Sequence, residues 1–321
     1  MIRAILAASL LALPAPATAQ APEPLQFGIL STESSVNLKQ HWEPILADKA
    51  RKLGMPVKAY FSSDYAGIIE AMRFNKVQVA WLGNKPAIEA ADRANTEVFA
   101  QVLYADGALG YHSLLIVHRD SALKTVEDVL KDAKKLNFGG GDPNSTSGTI
   151  VPGYYLFAQN GVDPRTHFKV YRNASHEANF LAVVHRQVDA ATVSSEILQR
   201  FEQRDPARLG EVRVVWRSPL IASDPLAWRK DLPEALKTKV RDFWLAYGKE
   251  EAEKEKLKPI LAGGFRASSD RQLIPYRQLD LIREKSKVES DTTLSGAQKQ
   301  ERLAAISRRL EALDRQLAAA N

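Results

Sequence analysis

Residues Gly139–Gly153 read GGGDPNSTSGTIVPG: a run of glycines, then four short polar side chains, Asn144, Ser145, Thr146 and Ser147, where a helix should begin. Glycines let the backbone turn sharply and approach another group closely. The first turn of a helix carries N–H groups without intrahelical partners and the positive end of the helix dipole, so an anion is stabilised there. The hydroxyls of Ser145, Thr146 and Ser147 beside those amides would surround a tetrahedral oxyanion with donors. A well-capped helix after a loop is the plainer alternative, but one cap takes one such residue, and this stretch offers several. The loop is not a nucleotide motif: no Lys follows the glycines, and G-x-G-x-x-G spacing is absent.

Other reactive residue types are sparse. His41, His112, His118, His167 and His185 are scattered without ligand spacing, so no metal site is implied. The chain has no cysteine and no G-x-S-x-G elbow. A lone His176 at a helix start is ordinarily a cap or surface residue, and an isolated Tyr65 ordinarily core or surface. Glu196 follows a strand, at the carboxyl end where open α/β sheets bind ligands. Asp224-Pro225 reads most simply as a turn.

The elements that would position these residues alternate between strand and helix. Strands are expected at Leu25–Leu30, Val57–Phe61, Val77–Trp81, His112–His118, Lys169–Tyr171, Asp189–Val193 and Arg213–Trp216. Helices are expected over Asn37–Leu53, from Asp64 to about Phe74, over Pro86–Arg93 and over Gly148–Gln159. The alternation implies largely parallel sheets covered on both faces. Asp64–Trp81 and Ser175–Thr192 echo one another: a polar cap, an apolar-faced helix, a short basic turn and a Val-x-x-Ala strand, with Tyr65 and His176 in matching places 111 residues apart. A C-terminal segment, Ala297–Ala320, is strongly helical after the polar stretch Lys285–Ser295. Its Leu303, Ile306, Leu310, Leu313 and Leu317 step by 3 and 4 as a heptad-like seam. That seam suits either a second copy or the chain's own body.

Composition bounds the class. The chain has 321 residues, 45% hydrophobic and 26% charged, and no cysteine, so its cores rest on burial without disulfides or thiolate sites. This length favours two domains. The net charge of +6 suits an anionic ligand; no basic run interleaved with aromatics points to nucleic acid. Met1–Ala19 places Arg3, the apolar run Ala4–Leu13 and the small-residue end Ala17-Thr18-Ala19 in the order of a secretory signal peptide. The apolar run is well short of the roughly 20 residues that span a bilayer. A mature protein free in the periplasm is expected.

Taken with FGILSTES (Phe27–Ser34), DYAGIIEAMRFNKV (Asp64–Val77), GDPNSTSG (Gly141–Gly148), VPGYY (Val151–Tyr155), SPLIASDPLAWRK (Ser218–Lys230) and FRASSD (Phe265–Asp270), the chain resembles the periplasmic phosphonate-binding proteins of phosphonate ABC transporters over nearly its whole mature length. The resemblance implies an α/β, two-lobed periplasmic-binding-protein fold (type II) with a hinge of two crossover strands and a C-terminal helix. Lobe 1 would comprise residues 20–112 and 223–290, lobe 2 residues 113–222, and the helical tail residues 291–321. It implies capture of a phosphonate, an inner-membrane ABC permease as partner, a homodimer through the C-terminal helix, no catalysis and no cofactor. A receptor for phosphite, phosphate or another small oxyanion is the alternative; a secreted phosphonate hydrolase would need an activated nucleophile or metal pair. By the resemblance, Ser145, Thr146, Ser147 and His176 hold the phosphonate oxygens, with His176 the one side chain able to carry positive charge. Tyr65 and Tyr111 are the aromatic cleft residues, and Glu196 and Asp224 meet a ligand amino group, which points to 2-aminoethylphosphonate. The sequence departs from the family pattern at Leu82 and at Val193-Ser194-Ser195, which bears on ligand preference.

Overall fold

The computed structural model describes residues 23–318; the expected signal peptide, Met1–Ala19, lies outside the described residues. The strands are β1 (Leu25–Ile29), β2 (Val57–Phe61), β3 (Val79–Trp81), β4 (Thr96–Tyr104), β5 (Gly110–Tyr111), β6 (Ser113–His118), β7 (Asn137–Gly140), β8 (Val170–Asn173), β9 (Ala190–Ser194), β10 (Val212–Arg217), β11 (Ile221–Ala222), β12 (Pro225–Arg229) and β13 (Ala262–Ala267). They form a six-stranded sheet ordered β13-β4-β12-β3-β1-β2, a five-stranded sheet ordered β10-β6-β9-β7-β8, and a two-stranded ribbon of β5 and β11. The six-stranded lobe is completed by β12 and β13 after the chain returns from the five-stranded lobe, and the antiparallel ribbon lies where the chain crosses out and back.

The sheets are mixed, not largely parallel. Pairs β1–β2, β1–β3, β7–β8 and β7–β9 are parallel, whereas β12 and β13 run against β4, and β6 runs against both β9 and β10. The reason is the double crossing. A strand that enters a lobe through the ribbon, instead of through a crossover helix, arrives in the opposite sense to its neighbours.

The echo between the lobes is structural. Helices Tyr65–Arg73 and His176–Val184 have nine residues each, opened by the side chains of Asp64 and Ser175, which accept N–H groups from Gly67 and Ala178. Each is followed by a left-handed residue, Asn75 at φ 55° and Arg186 at φ 56°, before β3 and β9. Tyr65 and His176 therefore both stand at the first helical position.

The six-stranded lobe is packed around Phe27, Trp42, Trp81 and Trp244, with ring centroids 5.3–6.4 Å apart. The five-stranded lobe buries one layer around Phe138, Phe157 and Phe168 and another around Phe180 and Phe201, so helices cover both faces. The ammonium of fully buried Lys49 lies in the first core, 5.0 and 4.9 Å from the Phe27 and Trp244 ring centroids, with no hydrogen-bond partner. The ring faces favour the cation, but burial outweighs them and pushes its pKa down to about 7. The unfolded chain binds the proton more readily, so Lys49 costs the fold nothing above the ordinary lysine range and an increasing amount of stability as pH falls from there toward 7. Lys49→Met is expected to stabilise the protein at pH 7 by about 2 kcal/mol, roughly 5 °C in Tm. Calorimetric scans should show the gain shrinking as pH rises toward 10; a loss of stability at pH 7 would refute it.

The C-terminal helix, Gly296–Ala318, lies on the helix Ile274–Ser290, and its seam is used within the chain. Ile306 is buried against Leu281 and Val288, with Leu303, Leu310 and Leu313 packed around them. The polar stretch from Lys285 continues that supporting helix to Ser290. This packing buries Ile306, while Leu303, Leu310 and Leu313 keep part of their surface, so the stripe is only partly used within the chain. Among the described residues no helix is long and apolar enough to cross a membrane.

Candidate ligand-binding site

The glycine loop is held by close backbone approach. A Cβ on Gly141 would lie 2.4 Å from the Cα of Gly148, and the Gly141 N–H donates to the Gly148 carbonyl at 3.0 Å. Ser145 supplies the helix cap, accepting the Gly148 N–H at 2.9 Å. The helix expected from Gly148 begins earlier, at Thr146, and is over-wide: Ile150 N–H donates five residues back to the Ser145 carbonyl, and Val151 N–H to that of Thr146. Pro152 is the cause, having no N–H for the carbonyls of Ser147 and Gly148. Hydroxyls from the neighbouring strands serve them instead, Ser113 to Ser147 at 2.5 Å and Thr192 to Gly148 at 2.9 Å. Such π-turns concentrate at functional sites.

His176 stands beside this turn as a neutral donor. Its Nδ1 accepts the Ser194 N–H at 3.1 Å, so the ring proton sits on Nε2, 3.3 Å from Ser145 Oγ and 3.4 Å from Ser147 Oγ. Burial, reinforced by the nearby Arg200 charge, lowers its pKa to about 4. His176, the one side chain of the cradle expected to be able to carry positive charge, is thus neutral in this arrangement: Nδ1 is already an acceptor, and the site excludes the water that would solvate an imidazolium.

The opposite lobe adds a second helix start that the sequence reading placed too late. The helix expected from Pro86 begins at Asn84, capped by Gly83, and the Lys85 N–H donates to Thr146 Oγ1 across the lobes at 2.9 Å. A Cβ on Gly83 would lie 3.2 Å from Thr146 Oγ1 and 3.7 Å from Asp224 Oδ1. The Lys85 ammonium is committed to Glu89 and Asp280. Tyr65 is placed at the same junction, its N–H donating to Asp142 Oδ2 and its hydroxyl beside Ser145.

Two carboxylates complete the enclosure. Glu196 lies in the first turn of the helix Ser195–Arg204, directly after β9, and accepts the Tyr104 hydroxyl at 2.8 Å. Asp224 lies between β11 and β12 with Tyr111 near its carboxyl, and its Oδ1 is buried with no hydrogen-bond partner. Neither acid has an ion-pair partner within 4 Å among the described residues. Burial pushes the Glu196 carboxyl up, and burial together with Glu196 pushes Asp224 well up. Ser145, Thr146, Ser147, His176, Tyr65, Tyr111, Glu196 and Asp224 are all 2–8% exposed, so the lobes are shut over them. Tyr104 and Asp142 were not singled out from the sequence; a tyrosine ending an apolar strand and an aspartate in a turn carry no distinguishing signal.

The positions that depart from the family pattern serve the frame. Leu82 is wholly buried in the core of the six-stranded lobe, Ser194 caps the Glu196 helix, and the Ser195 hydroxyl accepts the His112 N–H. Among the described residues no cluster of His, Asp or Glu has the arrangement of a metal site.

Residues 27–273 match the family model described as ABC transporter, phosphonate, periplasmic substrate-binding protein. The chain is 50% identical over 308 residues to the phosphonates-binding periplasmic protein of Escherichia coli K12, covering 96% of this chain and 91% of that one. It is 24% identical over 204 residues to a probable ABC transporter phosphite binding protein of Prochlorococcus marinus, covering 62% and 67%. Its fold superposes with a TM-score of 0.91 on the crystal structure of a binding component of the Pseudomonas aeruginosa ABC phosphonate transporter, at 48% identity and covering 93% and 99% of the two chains. The two-lobed α/β chain thus belongs to the periplasmic phosphonate-binding proteins of ABC transporters.

Proposed function

We propose that this protein captures a zwitterionic phosphonate, 2-aminoethylphosphonate, between its lobes and delivers it to an inner-membrane ABC permease. Ser145, Thr146, Ser147, His176 and the amides of the two helix starts receive the phosphonate oxygens. Tyr65 and Tyr111 wall the cleft, and Glu196 and Asp224 receive the ammonium. The observation that carries this reading is the buried, unpartnered Asp224 Oδ1 beside a second carboxylate without an ion pair. Buried carboxylates without a counter-ion cost several kcal/mol, and a ligand ammonium would relieve both. Release follows from opening about the β5–β11 crossings, with residues 20–112 and 223–290 in one lobe and 113–222 in the other. Two copies pair through the C-terminal helix, whose seam residues Leu303, Leu310 and Leu313 keep part of their surface after packing within the chain.

Calorimetric titration with 2-aminoethylphosphonate, methylphosphonate, phosphite and phosphate tests the proposal. The amino compound should bind tightest, without phosphate release on prolonged incubation. Its binding should also expel protons. Carboxyls whose pKa values are raised hold protons that an ammonium displaces, so the apparent enthalpy will vary with the ionisation heat of the buffer. For methylphosphonate that variation should be smaller. Equal affinity for phosphite or methylphosphonate, or release of phosphate, would overturn the reading.

A further inference from the structure

Behind the carboxylates, the lobes are joined by a buried charge network that belongs to neither the anion cradle nor the ribbon. Glu33, in the segment after β1, has a fully buried side chain and accepts Arg200 Nη1 at 2.7 Å and Arg204 Nη1 at 2.9 Å. Both arginines belong to the helix Ser195–Arg204 of the other lobe. Arg204 also pairs with Glu177 at 2.6 Å, and Glu177 in turn accepts the Ser34 N–H at 2.6 Å and the Asn37 amide at 2.8 Å from the first lobe. Glu196 stands one helical turn before Arg200 on the same helix. Its hydrogen-bond partner is the Tyr104 hydroxyl, not Arg200.

We propose that Arg200 exchanges carboxylates as the lobes move, pairing with Glu196 when they are apart and with Glu33 when they meet, so that closure frees Glu196 for a ligand ammonium. A Glu four residues before a basic residue is the favourable orientation for a pair on a helix, and separating the lobes removes Glu33 from Arg200. Separation exposes Arg200 to water, and Glu196, whose charge already acts on Arg200 in the closed form, is the carboxylate that stays with it on the same helix. Arg200 then acts as a positioning residue for ligand choice. A ligand without an amine leaves Glu196 and Asp224 uncompensated in the closed form, while an amine takes over the charge that Arg200 gives up. This inference rests on the zwitterion reading but is tested separately from it.

The affinities of 2-aminoethylphosphonate and methylphosphonate are to be measured for wild type, Glu33→Gln, Arg200→Gln and the double variant. Loss of the lobe contact alone weakens both ligands alike. Retention of Arg200 on Glu196 adds a further loss, about tenfold, for the amino ligand of Glu33→Gln, and the double variant should recover the preference to within about threefold of wild type. Equal weakening of both ligands in Glu33→Gln, or no recovery in the double variant, would overturn the exchange. A ligand-independent readout is the carbon-13 titration of the Glu196 carboxyl, which faces Arg200, Asp224, Tyr104, Tyr111, Tyr65 and Glu33. In the protein without ligand, Arg200→Gln should raise its midpoint while Glu33→Gln leaves it in place; an unchanged midpoint in the first, or a lowered one in the second, would sink the proposal. Absence of any amine preference in wild type would defeat the zwitterion reading, while the titration would still decide the exchange.

Discussion

Replacing Thr146 and Ser147 together by alanine is expected to weaken every phosphonate by at least about a thousandfold, roughly 4 kcal/mol. Both hydroxyls are buried, and each sits at a junction. Thr146 Oγ1 meets the Lys85 N–H of the opposite lobe, and Ser147 Oγ faces the proton-bearing Nε2 of His176. A hydrogen bond to a charged group contributes about 1.5–3 kcal/mol, so two of them account for the loss. Their removal also leaves the Lys85 amide and the imidazole less well satisfied in the closed form. Because the cradle contributes no formal charge, the loss should be similar for amino and non-amino ligands. Isothermal calorimetry measures it, and affinities within tenfold of wild type would exclude this loop as the anion site.

The second large effect is selective. Glu196→Gln with Asp224→Asn is expected to cost 2-aminoethylphosphonate about 3–5 kcal/mol, the usual consequence of stranding a buried charge, and to cost methylphosphonate little or nothing. In wild type the amino ligand should bind at least about thirtyfold tighter, near 2 kcal/mol. The double variant should abolish or invert that order. The same pair of changes removes the raised-pKa carboxyls, so proton release on binding should vanish. As pH falls through those raised values, wild-type affinity for the amino ligand should decline, because protonated carboxyls no longer attract the ammonium. A double variant that keeps the amine preference would show that the ammonium is received elsewhere.

Much of the frame was legible because local signals and tertiary needs agree. The matched helices at Tyr65 and His176 announce themselves by cap, apolar face and return strand, and Asn75 and Arg186 repeat the same left-handed turn. The strand Ser113–His118 is a continuous apolar run because the sheet buries it on both faces. What was not legible depends on the double crossing between lobes. β4, β12 and β13 have no distinctive flanking pattern, and their antiparallel pairing arises from segments more than a hundred residues apart in the chain. The helix at Thr146 widened because Pro152 withholds an N–H, and β6 and β9 supply hydroxyls that only the fold brings near. The neutral state of His176 was hidden for a similar reason. A residue's type gives its ordinary pKa, but the Ser194 N–H on Nδ1 and the enclosure that moves it are tertiary facts. The carboxylates Glu196 and Asp224 were named through family resemblance; the residues alone placed Asp224 in a turn and left Glu196 a carboxyl-end candidate.

The ribbon of β5 and β11, two residues on each strand, has a mechanical consequence. The two sheets share no strand, so any rotation of one lobe on the other twists a few backbone torsions around Tyr111 and Ile221 and leaves both sheet ladders intact. Such a joint is soft and stores little elastic energy, and it cannot spring the lobes apart. The time a ligand stays inside is then governed by the contacts in the cleft, the charge network behind it and the packing of the helix Ile274–Ser290 on the turns Thr146–Ile150 and Gly153–Phe157. A transporter gripping the outer faces of both lobes would work against those contacts.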